Sequence, residues 1–258
     1  MKLSTETIGN GPDLVLLHGW GMNGAVWAPL IAHLTKHFRI TVIELPGHGA
    51  SESDESQPHF DAWVEACLDA APEQAVWIGW SLGGQLAQQA AVKAPDRVKQ
   101  LVLITSSPRF VKGDGWVHAM DKAVLKLFAK ALVKDHAQAL GRFLSLQVQG
   151  DESARDTLRT LRHDISARPE PNAQALEQGL DMLLTVDLRA QLSSISSPVL
   201  WLLGERDTLT PAAVAEDIRL LMPAAEIEVI HGAAHAPFLS HPEASLKAID
   251  HFLGEADE

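Results

Sequence analysis

Short continuous apolar runs alternate with amphipathic segments along the first hundred residues of the chain. These runs occupy residues 13–17, 40–45, 75–78 and 101–104. Because they lack strict alternation of apolar and polar residues, they predict strands buried on both faces of a parallel sheet. One intervening segment places apolar residues at the helical positions i, i+3, i+4, i+7 and i+8, namely Phe60, Trp63, Val64, Cys67 and Leu68. The repeated order of strand, helix and strand predicts an α/β fold with right-handed crossovers.

The alternation stops near residue 108 and resumes near residue 198. Only helical patterns, and no strand, are recognisable between 108 and 190, whereas strand runs return at 198–203 and 226–230. We therefore predict a mostly parallel central sheet with helices on both faces, formed by residues 1–107 and 191–258. Residues 108–190 are predicted to form an inserted all-helical cap.

Composition and charge exclude several classes of protein. The longest apolar runs are far shorter than the roughly 20 residues of a membrane span, and the net charge of −12 argues against nucleic-acid binding. The single cysteine, Cys67, rules out an intrachain disulfide. The first residues lack the apolar segment of a secretory signal. We expect a cytoplasmic monomer that binds neither nucleic acid nor membrane.

Basic residues concentrate in the predicted cap, where residues 108–190 hold 12 Lys and Arg against 11 Asp and Glu. Four lysines recur every four residues, at Lys122, Lys126, Lys130 and Lys134. The same stretch has six residues that we expect to form an apolar inner face: Val124, Leu125, Leu127, Phe128, Leu132 and Val133. A later helix carries Arg155, Arg159 and Arg162 on one face. These basic faces are either solvated helix surfaces or a docking place for an acidic partner.

The strongest chemical signal is the pattern GWSLG at residues 79–83, which follows a predicted strand and opens a predicted helix. In that context G-x-S-x-G forms a tight turn that exposes the serine hydroxyl above the sheet. The pattern therefore predicts Ser81 as a nucleophile. The backbone N–H of Leu82, at the start of the helix, is the first predicted oxyanion donor.

A serine nucleophile needs a histidine base that is oriented by a carboxylate. Two late strands end at GERD and at HGAAH, which offer Glu205 or Asp207 and His231 or His235. We favour Asp207 and His235, because each lies beyond the end of its strand, where ligand chemistry gathers in α/β sheets.

The second oxyanion donor should come from the loop after the first buried strand. That loop reads HGWG at residues 18–21, and its glycines allow a substrate to approach the backbone closely. We expect the backbone N–H of Trp20 to be the donor and its indole to form a wall of the pocket.

Several motifs together resemble the α/β-hydrolase superfamily: HGWG, LPGHG, GWSLGG, GERD and HGAAHAPF. Within it the chain is most similar to the pimeloyl-[acyl-carrier protein] methyl ester esterases of biotin synthesis. That similarity rests on LLHGWGMNGAVW, SSP at 106–108, RFLSLQ at 142–147, TVDLR at 185–189 and AAHAPFLSHP at 233–242.

The resemblance implies an activity, a site and a partner. It implies hydrolysis of the methyl ester of a pimeloyl-carrier protein through an acyl-enzyme, with Ser81, Asp207 and His235 as the triad and no metal or organic cofactor. It implies that the substrate contacts Trp20, Ser81, Leu82 and His235, and that its acyl chain runs along Phe143, Leu144, Ser145, Leu146 and Gln147. The acidic acyl carrier protein would dock on cap arginines that match Arg142, Arg155 and Arg159, with Arg162 on the same face, whereas a fourth family arginine is replaced by Gln138.

Two other classes of function stay open at this point. A general carboxylesterase or a carbon–carbon bond hydrolase would use the same triad on a different substrate. A non-catalytic binding protein on this scaffold is disfavoured by the intact order of Ser, Asp and His.

Overall fold

Seven strands lie within the parts of the chain that the computed structural model describes, which are residues 1–53, 59–166 and 168–254. In chain order they are β1 (Thr5–Ile8), β2 (Asp13–Leu17), β3 (Arg39–Ile43), β4 (Ala75–Trp80), β5 (Val98–Ile104), β6 (Val199–Gly204) and β7 (Glu226–Ile230). They form one sheet in the order β1-β3-β2-β4-β5-β6-β7. The pair β1–β3 is antiparallel and the other pairs are parallel, so the predicted α/β fold with a mostly parallel sheet is confirmed.

The helices follow the strands in the expected rhythm. They are α1 (Ala28–Leu34), α2 (Phe60–Ala70), α3 (Leu82–Lys93), α4 (Lys122–Lys134), α5 (His136–Gln147), α6 (Ala154–Ser166), α7 (Ala173–Thr185), α8 (Val214–Leu221), α9 (Pro237–Ser240) and α10 (Pro242–Leu253). None of the helices in the described ranges has the length and apolarity that crossing a membrane requires.

The core fills both faces of the sheet because the central strands carry runs of consecutive apolar residues. Successive residues such as Leu16 and Leu17 are both fully buried, although they point to opposite faces. Helices α2, α3 and α8 contribute to the apolar cluster that contains Leu17, whereas α1, α9 and α10 contribute to the cluster that contains Leu16. The residues just beyond the carboxyl ends of β4 and β6 include the polar side chains of Ser81 and Asp207.

Two features differ from the sequence-based expectation. Strand β1 was not predicted, because its four residues are exposed or half-buried and carry no apolar run. The segment 108–190 contains α4 to α7 but is not helical throughout. Before α4 it forms isolated β-bridges between Val111 and Met120 and between Gly113 and Trp116.

Helix α4 is also rotated relative to expectation. Of the six apolar residues expected on its inner face, Leu125 and Leu132 are buried and Phe128 is half-buried, whereas Val124, Leu127 and Val133 are exposed. The expectation of one inner apolar face was therefore wrong for half of its members.

Candidate active site

The turn between β4 and α3 presents Ser81 in a backbone conformation that ordinary residues avoid. Its φ is 55° and its ψ is −118°. Close packing requires the glycines around it: a Cβ on Gly79 would lie 2.6 Å from Gly83 O, and one on Gly83 would lie 2.4 Å from the carbonyl oxygens of Leu17 and His18. Helix α3 thus approaches β2 and β4 closely enough to hold the strained serine just beyond the carboxyl end of β4.

Ser81, His235 and Asp207 form an unbroken hydrogen-bonded chain. The Oγ of Ser81 lies 2.9 Å from Nε2 of His235, and Nδ1 of His235 lies 2.6 Å from Oδ2 of Asp207. The His235 and Asp207 side chains are almost completely inaccessible to solvent. This geometry lets the imidazole accept the serine proton while the carboxylate holds Nδ1–H.

The Asp207 carboxylate is fixed by the turn that follows β6. Its Oδ1 accepts hydrogen bonds from the backbone N–H groups of Leu209 at 2.7 Å and Thr210 at 3.0 Å, which leaves Oδ2 for His235. Glu205 and His231, the alternatives to Asp207 and His235, contact each other instead. Oε2 of Glu205 lies 2.8 Å from Nδ1 of the exposed His231. The structure thus brings together the residues that the sequence favoured.

The backbone of His235 is held on both sides by hydrogen bonds that the sequence did not predict. Its N–H donates to the carbonyl of Gln147 at 3.0 Å. Its carbonyl accepts from Trp80 Nε1 and from Thr105 Oγ1, both at 2.7 Å. Trp80 and Thr105 lie at the carboxyl ends of β4 and β5, and this placement is the sequence signal that could have indicated their role near the site. Gln147 stood out only through the resemblance, as part of the acyl path.

The predicted oxyanion loop lies directly beside the nucleophile. A Cβ on Gly19 would be 3.3 Å from Ser81 Cβ. Among the described residues, none accepts a hydrogen bond from the backbone N–H of Trp20 or of Leu82. Two unused N–H groups flanking a serine hydroxyl are the arrangement that stabilises a developing oxyanion.

Two buried histidines fasten this loop to the segment after β3. His48 accepts from Gly21 N–H at its Nε2, 3.2 Å away, and its Nδ1 lies 2.9 Å from the Pro46 carbonyl. The ring is therefore neutral with its proton on Nδ1, and burial lowers the pKa of His48 to about 3. His18 similarly accepts from Leu45 N–H at its Nε2, at 3.0 Å.

Helix α7 covers the two residues that the sequence predicts as oxyanion donors, Trp20 and Leu82. The indole N–H of Trp20 donates to Leu176 O at 2.8 Å. A Cβ on Gly179 would lie 2.7 Å from the Trp20 ring and 3.2 Å from Leu82 Cδ2. Ser81 is only 3% exposed as a result. The nucleophile is therefore nearly inaccessible to solvent in this arrangement.

The residues of the expected acyl path lie on α5 and differ in burial. Phe143 packs edge-on against Trp20 with ring centroids 4.6 Å apart. Leu144 and Gln147 are buried and Leu146 is half-buried. Ser145 is exposed, and its hydroxyl donates to Gly141 O at 3.0 Å. The structure thus brings Phe143 to the oxyanion loop and leaves Ser145 at the surface.

The expected docking arginines all lie on the surface of the cap helices. Arg142 is exposed on α5, and Arg155, Arg159 and Arg162 are exposed on α6. Arg159 pairs with Asp156 at 3.0 Å. For the other three, no ion pair is found with any described residue.

Comparisons with known proteins agree with this geometry. A model of the alpha/beta hydrolase fold matches residues 12–242. The pimeloyl-[acyl-carrier protein] methyl ester esterase of Aliivibrio salmonicida is 41% identical over 257 residues, covering 100% of this chain and 98% of that protein. The esterase of the same description from Xanthomonas campestris is 42% identical over 251 residues, covering 96% of this chain and 97% of that protein.

Among solved structures, an esterase from Exiguobacterium antarcticum superposes with a TM-score of 0.88, covering 98% of this chain and 95% of that chain at 21% identity. That likeness concerns the fold alone. The matches in sequence extend over nearly the full length of both chains. The chain therefore belongs to the α/β-hydrolase fold family and, within it, to the family of pimeloyl-[acyl-carrier protein] methyl ester esterases.

Proposed function

We propose that the chain is a serine carboxylesterase that hydrolyses the methyl ester of pimeloyl-[acyl-carrier protein] to the free pimeloyl-carrier protein and methanol, a step of biotin biosynthesis. The observation that carries this proposal is the hydrogen-bonded chain from Asp207 through His235 to Ser81. The identity of 41–43% to esterases of that description supports the choice of substrate.

In the acylation half-reaction, His235 Nε2 takes the proton of Ser81 as its oxygen attacks the ester carbonyl. Asp207 holds Nδ1–H and stabilises the imidazolium that forms. The negative charge on the carbonyl oxygen is stabilised by the N–H groups of Trp20 and Leu82. The C–O bond to the methoxy group then breaks, and methanol leaves with the proton from His235.

In the deacylation half-reaction, a water molecule attacks the acyl-enzyme. His235 accepts one proton of the water, and the same two N–H groups again hold the oxyanion. Ser81 leaves with the proton that His235 returns, and the free carboxylic acid ionises. Every proton moves through one imidazole, and the acyl group is the only part of the substrate that becomes covalently attached.

Residues 108–190 act as a cap on a core formed by residues 1–107 and 191–258. The ester stands at the far end of a long apolar chain, so its carbonyl must reach Ser81 while the carrier protein remains outside. Phe143, Leu144, Ser145, Leu146 and Gln147 are proposed to guide the chain, and the contact of Phe143 with Trp20 supports a path that ends at the oxyanion loop.

The acyl carrier protein is proposed to dock on Arg142, Arg155, Arg159 and Arg162, with the enzyme acting as a monomer. Their exposure, and the lack of an ion pair for three of them among the described residues, supports this role. Reversal of charge at Arg155 and Arg159 should weaken turnover of the carrier-bound ester and spare free small esters. Equal loss for both substrates would refute docking as their role.

The decisive experiment is demethylation of methyl pimeloyl-carrier protein by the purified chain, followed by mass spectrometry of the carrier protein. We expect Ser81-dependent loss of the methyl group and rescue of a biotin-requiring strain that lacks this step. Hydrolysis of aryl esters without demethylation of the carrier-bound ester would instead indicate a general esterase. No Ser81-dependent turnover of either would indicate a binding protein.

A further inference from the structure

Thr105, the residue that follows β5, has a backbone conformation that β-branched residues avoid. Its φ is 40°, and within the described residues Ser81 is the only other non-glycine residue with a positive φ. A β-branched residue in this region is strained, and such strain persists only where surrounding contacts hold it. Thr105 is fully buried. The contacts of its own polar groups must therefore keep it in place.

Each polar group of Thr105 bonds to a different segment near the carboxyl ends of the strands. Its backbone N–H donates to Leu202 O in β6 at 2.7 Å. Its hydroxyl donates to His235 O, also at 2.7 Å, and its carbonyl accepts from the hydroxyl of Thr210 at 3.1 Å. Thr210 belongs to the segment after β6 that carries Asp207, and His235 belongs to the loop after β7. One residue thus joins the segment of the carboxylate to the loop of the base.

These contacts close a ring of hydrogen bonds around the Asp207–His235 pair. The backbone N–H of Thr210 donates to Oδ1 of Asp207 at 3.0 Å, and Oδ2 of Asp207 lies 2.6 Å from Nδ1 of His235. The ring runs from the His235 carbonyl through Thr105 and Thr210 to Asp207, and returns to the His235 imidazole. Its four members are at most 5% exposed. Because hydrogen bonds in a buried network reinforce one another, the loss of one link should loosen the others.

We propose that Thr105 is a positioning residue for His235 and that, together with Thr210, it holds the Asp207 carboxylate against the imidazole. This inference rests on the proposed function. The imidazole must meet Asp207 at Nδ1 and Ser81 at Nε2 at the same time, and a misplacement of about 1 Å in such a site can cost roughly 100-fold in rate. The two threonine hydroxyls restrain the two segments relative to each other. The strained backbone of Thr105 is what brings its carbonyl and its hydroxyl to both of them.

The first test replaces Thr105 with valine, which keeps the branched shape and removes the hydroxyl. The His235 carbonyl retains its hydrogen bond from Trp80 Nε1 at 2.7 Å, so the variant should fold. With a free aryl ester we expect kcat to fall by about tenfold and KM to change little, because the base is misplaced and the ester site is not. Thr105→Ser keeps the hydroxyl and should restore most of kcat.

The second test combines Thr105→Val with Thr210→Val. Either substitution alone opens the ring, so the double variant should be no slower than the slower single variant. Thr41→Val is the matched control, because Thr41 is a buried threonine of β3 whose hydroxyl lies 3.4 Å from that of Thr7 in β1. It should keep the kcat of wild type.

The proposal is overturned if Thr105→Val is as fast as Thr41→Val, or if Thr105→Ser is as slow as Thr105→Val. Losses that multiply in the double variant would show that the two hydroxyls act independently, which contradicts the ring. If the wild-type chain shows no Ser81-dependent hydrolysis of the aryl ester, the proposed function itself fails and this inference fails with it.

Discussion

The carboxylate of Asp151 accepts a hydrogen bond from the backbone N–H of Ala234 at 3.1 Å, one residue before His235. Asp151 lies between α5 and α6, and its other oxygen accepts from Ser153 N–H at 2.6 Å. Arg206, next to Asp207, donates to Gly150 O at 3.2 Å. The junction of two cap helices therefore touches both loops that carry the triad partners of the nucleophile.

Asp151 is accordingly a positioning residue for His235. In Asp151→Ala the loop that carries His235 loses the hydrogen bond from Ala234 N–H to the carboxylate. We expect kcat to fall by about 10- to 100-fold with KM little changed. Asp151→Asn keeps one oxygen acceptor but sets its NH₂ group against one of the two backbone N–H donors, so it should recover only part of the loss. A mere loss of stability would appear in urea unfolding and would leave kcat per folded molecule unchanged, which would contradict this role.

The Asp207→Asn variant should be nearly inactive although its shape is conserved. The turn offers two N–H donors to Oδ1, so the amide oxygen of the substituted side chain would occupy that position and its NH₂ would face His235. The imidazole would then carry its proton on Nε2 and could not accept one from Ser81. We expect kcat to fall by about 10⁴-fold, measured with an aryl ester, whereas the free energy of unfolding should change little.

Gly179→Ala should slow catalysis although alanine favours a helix. The added methyl would press on the side chains of Trp20 and Leu82, whose backbone N–H groups are the proposed oxyanion donors. We expect a clear fall in kcat, by up to about 100-fold if one donor is displaced.

Gly141→Ala is the matched control for Gly179→Ala, because a Cβ on this glycine of α5 meets no atom within 4 Å. It should raise the free energy of unfolding by about 0.5–1 kcal/mol and leave kcat unchanged. Equal activity of the two variants would show that close packing at Gly179 does not matter.

Acid should destabilise the protein through His48. The unfolded chain binds a proton at this residue below about pH 6.5, whereas the folded chain does not until the pKa of about 3. Stability contributed by neutral His48 is therefore complete above about pH 6.5 and is lost as the pH falls towards 3. The slope from this group approaches about 1.4 kcal/mol per pH unit.

Urea unfolding of wild type and His48→Gln between about pH 7.5 and 4.5 measures that slope. Glutamine can still accept from Gly21 N–H and does not titrate, so its stability should depend less on pH. Parallel curves for the two proteins would show that His48 is not the group responsible.

The hydrogen-bonded grouping of Ser81, His235 and Asp207 could be anticipated because it depends on local patterns placed at strand ends. Ser81, Asp207 and His235 each follow an apolar run, and parallel strands bring their carboxyl ends to one edge. The sequence could not reveal Asp151, because its contact with Ala234 depends on how a helix junction packs against a distant loop. No local pattern distinguishes this aspartate from its many solvent-exposed counterparts.

The orientation of α4 shows a second limit. Its apolar residues are spread around much of the helix circumference, so hydrophobic periodicity does not select one inner face. Packing against α5 and α7 makes that choice, and it buries Leu125 and Leu132 at the expense of Leu127 and Val133. Strand β1 was not predicted for a related reason. It is an antiparallel edge strand with exposed residues, so it lacks the continuous apolar run of a buried strand.

The hydrogen bond from the Trp20 indole to Leu176 has a consequence for selectivity. Any displacement of Leu176 away from Trp20 would break this bond and free the tryptophan whose main chain is proposed to hold the oxyanion. One residue thus joins the loop beside the nucleophile to helix α7. Any contact of an acyl chain with the indole would therefore act on the same residue whose main chain is proposed to hold the oxyanion, so the fit of the chain and the position of the loop are not independent.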